Sequence, residues 1–505
     1  MRTLGLFVLL GVGLTALGRV GTAQTAPVIT HGVAAGDVTS SSAVVWARSD
    51  RAALMHVRYT PVIGDGTSGL ATASSSLGTH FAAQVRLADL EPGTPYRYEV
   101  WFETDGMRSA VESGAFGTAP GDDRPAAVSL LWSGDLAGQG YCRRPESGFA
   151  IFEPMRALAA DFFVANGDMI YADSVCPATG PGWLNIPGGF PGIGDAAVDW
   201  QDVAQVEEVY AAHWRYNRAD PSFQRFLRAT PMYVQWDDHE VINDFGAPWS
   251  VYAPTPERAG YANIVAAGRK TLFDFHPIDR HADEPDRIYR AYRWGRNLEL
   301  FILDARSYRS ENRLGDEPAG AKTMLGAEQL TWLKSALAAS TATWKVVSTD
   351  VPLSVPTGGR PDEFGRDAFA SGTGTGFAAG TGFERELLEL LAHVDRSDIR
   401  NVVFIATDVH FAAQLRYEQD LDGDGDTLLF HELISGPLSA VRAAAPPGLD
   451  PTLHPVVLYA EGDIFNFGTV RIGDGSADVP LLWTDIRDDT GRIRPGSRLV
   501  LTPEP

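Results

Sequence analysis

The sequence predicts a small N-terminal all-β sandwich followed by a larger α/β domain of mixed sheets flanked by helices. Up to residue 118 the apolar residues alternate in short segments separated by turn residues, the signature of strands with one face in water. From residue 126 onward unbroken apolar runs appear instead, with helical patterns between them, as in sheets covered on both faces.

The first element is Met1 to Ala23, which has the layout of a secretory leader. Arg2 supplies a positive start, Leu4 to Leu17 is largely apolar, and Gly21-Thr22-Ala23 precedes Gln24 as a small-residue cleavage site. The apolar run is short for a span of about 20 residues, and Arg19 interrupts it, so an anchor fits less well. Export to the periplasm or beyond is therefore expected. No later segment is long and apolar enough to cross a bilayer. Residues 27–118 form the predicted sandwich, with strand patterns at 42–48, 55–59, 81–87 and 96–102. The stretch from Leu90 to Tyr98 resembles the part of a fibronectin type III domain where a turn delivers a core tyrosine into the next strand. Residues 119–125 read as a linker, and 126–505 as the catalytic unit.

In that second unit the apolar runs are 127–132, 161–165, 232–236, 298–303, 344–348 and 401–406, with helical patterns at 327–339 and 384–394. Residues 356–382 are rich in Gly, Pro and small residues, which predicts a mobile loop at the rim of a site. The net charge of −22 argues against a broad basic surface for nucleic acid and against adsorption to anionic membranes. Cys142 and Cys176 can form a bridge in an exported protein, the alternative being two free thiols.

The chemistry lies where polar residues meet these runs. Asp135 follows the first, Asp168 and Tyr171 the second, and Asp237, Asp238 and His239 the third. Asp350 follows 344–348, and Asp408 and His410 follow 401–406. In open α/β sheets, sites gather at the carboxyl ends of strands. A single Asp after a strand is usually a cap or turn residue. Five strand ends carrying such groups point instead to carboxylates converging on multivalent cations, since oxygen and imidazole ligands suit iron, manganese, zinc or calcium.

The arrangement resembles the metallophosphoesterase pattern, especially that of purple acid phosphatases. Gly134-Asp135-Leu136-Ala137-Gly138 approximates a GDxG motif with one extra residue, and Gly167-Asp168-Met169-Ile170-Tyr171 matches GDxxY. Asp237-Asp238-His239-Glu240 stands for GNHE, Asp350 ends the counterpart of VxxH, and Thr407-Asp408-Val409-His410 stands for GHxH. The replacements by Asp, the string Trp236-Asp237-Asp238-His239-Glu240-Val241, Asn243-Asp244, the segment Leu303 to Arg309 and Ile434-Ser435-Gly436-Pro437 resemble the alkaline phosphatase D (PhoD-like) family. Some members carry Cys at the place of Gly134, so Asp135 is the candidate ligand here.

The resemblance implies a metal-dependent phosphoric ester hydrolase. Its substrates would be phosphomonoesters, phosphodiesters or phospholipids, attacked in line by metal-bound hydroxide. It implies Fe³⁺ held by Asp135, Tyr171 and His410, with Asp168 bridging to a second metal, Ca²⁺, Mn²⁺ or Zn²⁺. Asp238, Asp350 and Asp408 would serve that second metal. His239 is the candidate acid or phosphate clamp, or else a structural partner of Glu240 or Asp237. Arg306 would meet substrate phosphate or pair with Asp304 or a neighbour. The run Asp420 to Asp426 reads as an acidic hairpin turn, with a calcium loop as the alternative. The competing function is a noncatalytic secreted binding protein on the same scaffold. Nothing in the sequence reads on oligomeric state.

Overall fold

The computed structural model describes residues 25–504 apart from 65, 145, 177–190, 247–258, 318–321, 360–364, 373–380, 446–447 and 474–478. The expected leader, residues 1–23, lies outside the described residues.

The chain opens with β1 (Ile29–Gly36), β2 (Ala43–Ser49), β3 (Ala53–Pro61), β4 (Gly69–Ser75), β5 (Ala82–Leu87), β6 (Pro95–Thr104), β7 (Met107–Arg108) and β8 (Glu112–Gly117). β1, β2 and β5 pair on one side, and β4, β3, β6, β7 and β8 on the other. Period-2 alternation fixes which side chains enter: Met55 and Val57 from β3, and Tyr96, Tyr98, Val100 and Phe102 from β6, fill the space between the sheets. The Tyr96 hydroxyl accepts the Glu91 N–H at 3.0 Å, pinning the turn before β6.

The strands that follow are β9 (Val128–Ser133), β10 (Phe162–Asn166), β11 (Met232–Gln235), β12 (Arg290–Trp294), β13 (Leu298–Ile302), β14 (Trp344–Ser348), β15 (Val402–Ala406), β16 (Ala412–Gln419), β17 (Leu428–Ile434), β18 (Val456–Glu461), β19 (Asn466–Ile472), β20 (Leu482–Asp488) and β21 (Leu499–Leu501). They form two mixed sheets, ordered β21-β20-β19-β9-β10-β11-β1-β2-β5 and β12-β13-β14-β15-β17-β16-β18. β9, β10 and β11 run parallel, as do β13, β14, β15 and β17. The N-terminal strands are thus continuous with the first large sheet, through β1 beside β11.

Both faces of the central strands are buried, which explains the unbroken apolar runs. Leu130, Trp132, Phe162 and Val164 meet Leu300, Ile302, Val346 and Ile405 between the two sheets. The alternate residues Leu131, Phe163 and Val234 pack under α1 (Phe152–Ala157), α2 (Val203–Arg218), α3 (Pro221–Leu227) and α4 (Tyr261–Phe275). Phe301, Val347 and Phe404 pack under α5 (Gly326–Ala339) and α6 (Glu384–Arg396). The result is helices, sheet, sheet, helices, the mixed-sheet sandwich flanked by helices that the sequence predicted. Among the described residues, no helix is long and apolar enough to cross a membrane.

Two expectations need refinement. The described part of 356–382 is largely buried, with Phe369 packed in the core and Asp367 held inside the protein, while 360–364 and 373–380 of the expected loop lie outside the described residues. The Asp420 to Asp426 run is the turn between antiparallel β16 and β17, where Asp420 accepts the N–H groups of Gly423 and Gly425. The run is thus a hairpin turn, in which Asp420 and Asp422 come together with Asp395, their oxygens within 4.8 Å of one another.

Cys142 and Cys176 are bridged, with Cα atoms 5.9 Å apart and a sequence separation of 34. Closing such a loop restricts the unfolded chain by about 3–4 kcal/mol. Cys142→Ser/Cys176→Ser is expected to lose roughly 2–4 kcal/mol in denaturant unfolding. Thiol titration of unreduced, unfolded protein should find no free thiol, and two titrating thiols would overturn the pairing.

Candidate metal centre

At the carboxyl ends of the central strands, the apolar layer between the sheets gives way to a polar one. The Asn166 amide donates to Gln235 Oε1 at 2.9 Å, Ser348 Oγ at 2.7 Å and the Thr349 carbonyl at 3.2 Å. Gln235 Nε2 donates to Asp350 at 3.2 Å, and Thr407 Oγ1 to the Asn166 carbonyl at 2.7 Å. All but the Asn166–Gln235 bond cross from one sheet to the other, and together they form a floor, because each buried group would be costly if unpaired.

Above the floor the chain turns sharply. Asp135, Asp168, Asp408 and His410 have φ of 58°, 52°, 70° and 60°. The left-handed region costs a non-glycine residue of order 1–3 kcal/mol when imposed by its surroundings, and such strain gathers at functional sites. Here it brings their side chains together above the floor. Two glycines are required by contact: a Cβ on Gly167 would lie 2.5 Å from Asp237 Cβ, and one on Gly436 would lie 2.2 Å from Asp135 Oδ2.

The side chains converge in overlapping groups whose oxygen or nitrogen atoms lie within 4.8 Å of one another. These are Asp135, Asp168 and His410; Asp168, Asp238 and His239; Asp237, Asp238 and Asp408; and Asp238, Asp244 and Asp367. Asp168 belongs to two groups and Asp238 to three. Buried oxygens without a hydrogen-bond partner include both of Asp135 and one each of Asp168, Asp237, Asp238, Asp350 and Asp408. Burial first, then neighbouring carboxylates, pushes Asp168 well above the ordinary carboxylate range, and burial likewise raises Asp135, Asp237 and Asp408. Orphaned, buried acceptors facing one another fit hard cations, which satisfy the lone pairs and cancel the repulsion.

The imidazoles are set differently. His410 Nδ1 donates to the Val441 carbonyl, and Nε2 lies 2.8 Å from Tyr171 Oη. Burial lowers its pKa to about 4, so it is a neutral ring suited to ligation. Tyr171 is fully buried, and burial plus Asp168 and Asp135 raise its hydroxyl well above the usual range, so without a cation it is a phenol. His239 pairs through Nδ1 with Asp173 Oδ1 at 2.7 Å, and not with Glu240 or Asp237. Its ring stacks on Tyr171, with centroids 4.1 Å apart. Burial opposes its charge, but Asp173 and Asp238 raise its pKa to about 10.

Asp350 sits with Arg306, 3.4 Å from its Nε, and outside the converging groups found among the described residues. Arg306 is fully buried, with Nε 2.6 Å from Asp237 Oδ1 and Nη2 2.8 Å from Asp367 Oδ2. Of its two expected settings it takes the ion pair, with Asp237 and Asp367 as partners. Asp304 instead accepts Trp236 Nε1 at 2.8 Å. Asp244, Asp367, Asp173 and Glu240 were not singled out as site residues in the sequence, and Asp237 was placed at its strand end without a ligand role. Asp244 sat in a motif without a role, and nothing local marks Asp367.

Glu240 accepts the backbone N–H groups of Asp168, Met169 and Asp237 at 3.1, 2.7 and 2.8 Å. Glu240→Ala strands three buried donors, each worth about 1–3 kcal/mol. It should destabilise by at least about 3 kcal/mol in denaturant unfolding, whereas Glu240→Gln, which keeps an acceptor oxygen, should lose less. A neutral Glu240→Ala would show that these bonds hold nothing.

Burial also raises Glu240 and Asp350 to about 7 and Asp244 to about 8. A carboxyl raised on folding stabilises fully below its unfolded value near 4, and that stability is lost as pH rises through the folded value. Bound cations remove the penalty, so the melting-temperature gap between metal-loaded and chelated protein should widen from pH 5 to pH 8. Comparing the two forms cancels groups elsewhere. His410 works the other way between about 4 and 6.5, but it is one group against several. A gap that is flat across this range contradicts the cation assignment.

Residues 130–456, more than half the chain, match the PhoD-like phosphatase family, and residues 15–120 match the N-terminal domain of PhoD-like phosphatases. Alkaline phosphatase D of Bacillus subtilis (strain 168) is 26% identical over 412 residues, a match covering 75% of this chain and 64% of that protein. The solved structure of PhoD superposes with a TM-score of 0.69 at 17% identity, covering 94% of this chain and 92% of that one. Purple acid phosphatase PPD1 from yellow lupin (Lupinus luteus) seeds gives 0.58 at 12% identity, covering 94% and 74%. Both share the fold. By the family match over more than half of its length, the chain belongs to the PhoD-like phosphatase family.

Proposed function

We propose that this chain is a metal-dependent phosphoric ester hydrolase acting on small phosphoesters or phospholipid headgroups at the strand-end pocket. The observation that carries it is Asp168, buried, shared by two converging groups, and left with an orphaned oxygen. In this reading Asp168 would be shared between two metals, Asp135, Tyr171 and His410 would hold one, and Asp238 and Asp408 would hold the other. Asp237 and Asp350 are lined up with Arg306 behind them. When bound, the metals would supply positive charge against the phosphoryl oxygens and acidify water for in-line attack. His239 carries a proton toward the departing oxygen, and its positive charge also favours the phosphate as negative charge builds. Arg306 acts on substrate indirectly, by fixing Asp237 and Asp367.

The phenol of Tyr171 suits Fe³⁺ for the first metal, since a strong charge is needed to remove its buried proton. Carboxylates alone suit Ca²⁺, Mn²⁺ or Zn²⁺ for the second. The reading also takes residues 27–118 and 126–505 as the two working units of an exported protein. The Cys142–Cys176 bridge supports export, because such bonds persist in oxidising compartments.

The test is metal analysis with a visible spectrum, followed by turnover of a phosphomonoester, a phosphodiester and a phospholipid. A tyrosinate charge-transfer band should vanish in Tyr171→Phe. Asp168→Asn should lose metal and more than the roughly 10–100-fold in rate that supporting residues cost. Full metal content and turnover in Asp168→Asn would refute the bridging role.

A further inference from the structure

The carboxylate of Asp173 is almost wholly buried, and it lies outside the groups that converge on the candidate metals. It uses both of its oxygens. Oδ1 meets His239 Nδ1 at 2.7 Å, and Oδ2 accepts the Asn243 N–H at 2.9 Å. The loop after β10 is thereby clipped to the loop after β11. On one face the His239 ring is stacked against Tyr171, 4.1 Å between centroids and 29° between planes. Nearby backbone closes the frame: Ala172 N–H donates to the His239 carbonyl at 2.9 Å, and His239 N–H to Asp168 Oδ1 at 3.1 Å. A ring stacked on one side and bonded through Nδ1 has little freedom left, and Nε2 is the nitrogen left free for a ligand.

We propose that Asp173 is a positioning residue: it holds His239 with the proton on Nδ1 and Nε2 turned to the leaving-group oxygen of a bound phosphoester. This rests on the phosphoester reading above. In the step, Nε2–H passes its proton to the ester oxygen as the P–O bond breaks. The bonding pair stays on that oxygen, His239 is left neutral with Nδ1–H still on Asp173, and solvent returns the proton. Asp173 itself exchanges no proton.

An amide in place of the carboxylate has one acceptor oxygen for two donors, so Asp173→Asn must give up either His239 or Asn243. The variant is assayed on the metal-loaded protein with an alkyl phosphate ester and a 4-nitrophenyl ester. An alkoxide needs a proton on departure, whereas 4-nitrophenolate leaves without one. Asp173→Asn is expected to lower kcat about 10²-fold on the alkyl ester, the low end of general acid catalysis, and less than about threefold on the aryl ester. Metal content should be unchanged. His239→Gln should show the same selectivity, and the double variant no further loss. Equal losses on both esters, or rate falling together with metal content, would mean that Asp173 only supports the loops, and overturns the proposal. Independently, long-range ¹H–¹⁵N spectra, with His239 assigned by His239→Gln, should show Nδ1 protonated in the wild type. An unprotonated Nδ1 also overturns it. If the wild type turns over neither ester, the phosphoester reading fails, and the nitrogen spectrum alone decides the Asp173 assignment. The same spectrum decides it if Asp173→Asn does not fold.

Discussion

Carboxylates that face one another at the buried strand ends dominate the physics of this molecule. Asp135, Asp168, Asp237 and Asp238 are buried, Asp408 is half-buried, and they face one another, each keeping an oxygen without a hydrogen-bond partner among the described residues. Like charges this close cannot all ionise without compensation. Partial remedies come from Arg306, fully buried and surrounded by Asp237, Asp367, Asp350 and Asp238, from Arg309 on Asp367, and from His239 beside Asp173 and Asp238. These cations among the described residues do not balance that many carboxylates. The remainder calls for cations from outside, and binding them adds stability only to the folded state, where the ligands are gathered.

The fold makes that gathering possible at modest cost. Parallel strands end at one edge, and the two sheets present their ends to the same pocket. Below it the sandwich interior is apolar and tightly filled by Trp132, Phe162 and Leu300. At its mouth Asn166, Gln235 and Ser348 hydrogen-bond from sheet to sheet. The same strand thus supplies packing at one end and ligands at the other. The left-handed turns at Asp135, Asp168, Asp408 and His410 are strained conformations that this packing holds in place.

Much of this was legible in the sequence. Runs 127–132, 161–165 and 401–406 fell on β9, β10 and β15, because strands buried on both faces must be continuously apolar. Asp135, Asp168, Asp408 and His410 were visible because each follows such a run within a few residues. Asp367 was not, since it lies in a Gly-rich stretch and meets Arg306, Asp238 and Asp244 only through the fold. Asp173 was missed for a related reason: its partner His239 is far away in sequence, and only the fold brings the two loops together. The short helices α1 and α3 also escaped, since one or two turns carry too little periodicity to stand out. Sequence patterns report what a residue does for its own strand or helix. They are silent about the partner across a loop.

The N-terminal sandwich belongs in the same account. β11 carries the Trp236 to Val241 string at its end, yet it is only four residues long. β10 pairs along its full length on one side. On the other side stands β1, and the contacts there go beyond one strand pair. Asp37 N–H donates to the Met232 carbonyl at 3.2 Å, and the Tyr233 hydroxyl donates to the Val38 carbonyl at 2.5 Å. Arg290 grips Asp37 with two nitrogens, and Trp46 donates to the Asp274 carbonyl at 2.8 Å. A short strand positioned by one neighbour could tilt. Held from both sides, β11 fixes where Asp237, Asp238 and His239 emerge. By that argument the sandwich shapes the site without contributing a ligand to it, and a shift at Met232 would be felt at Asp238.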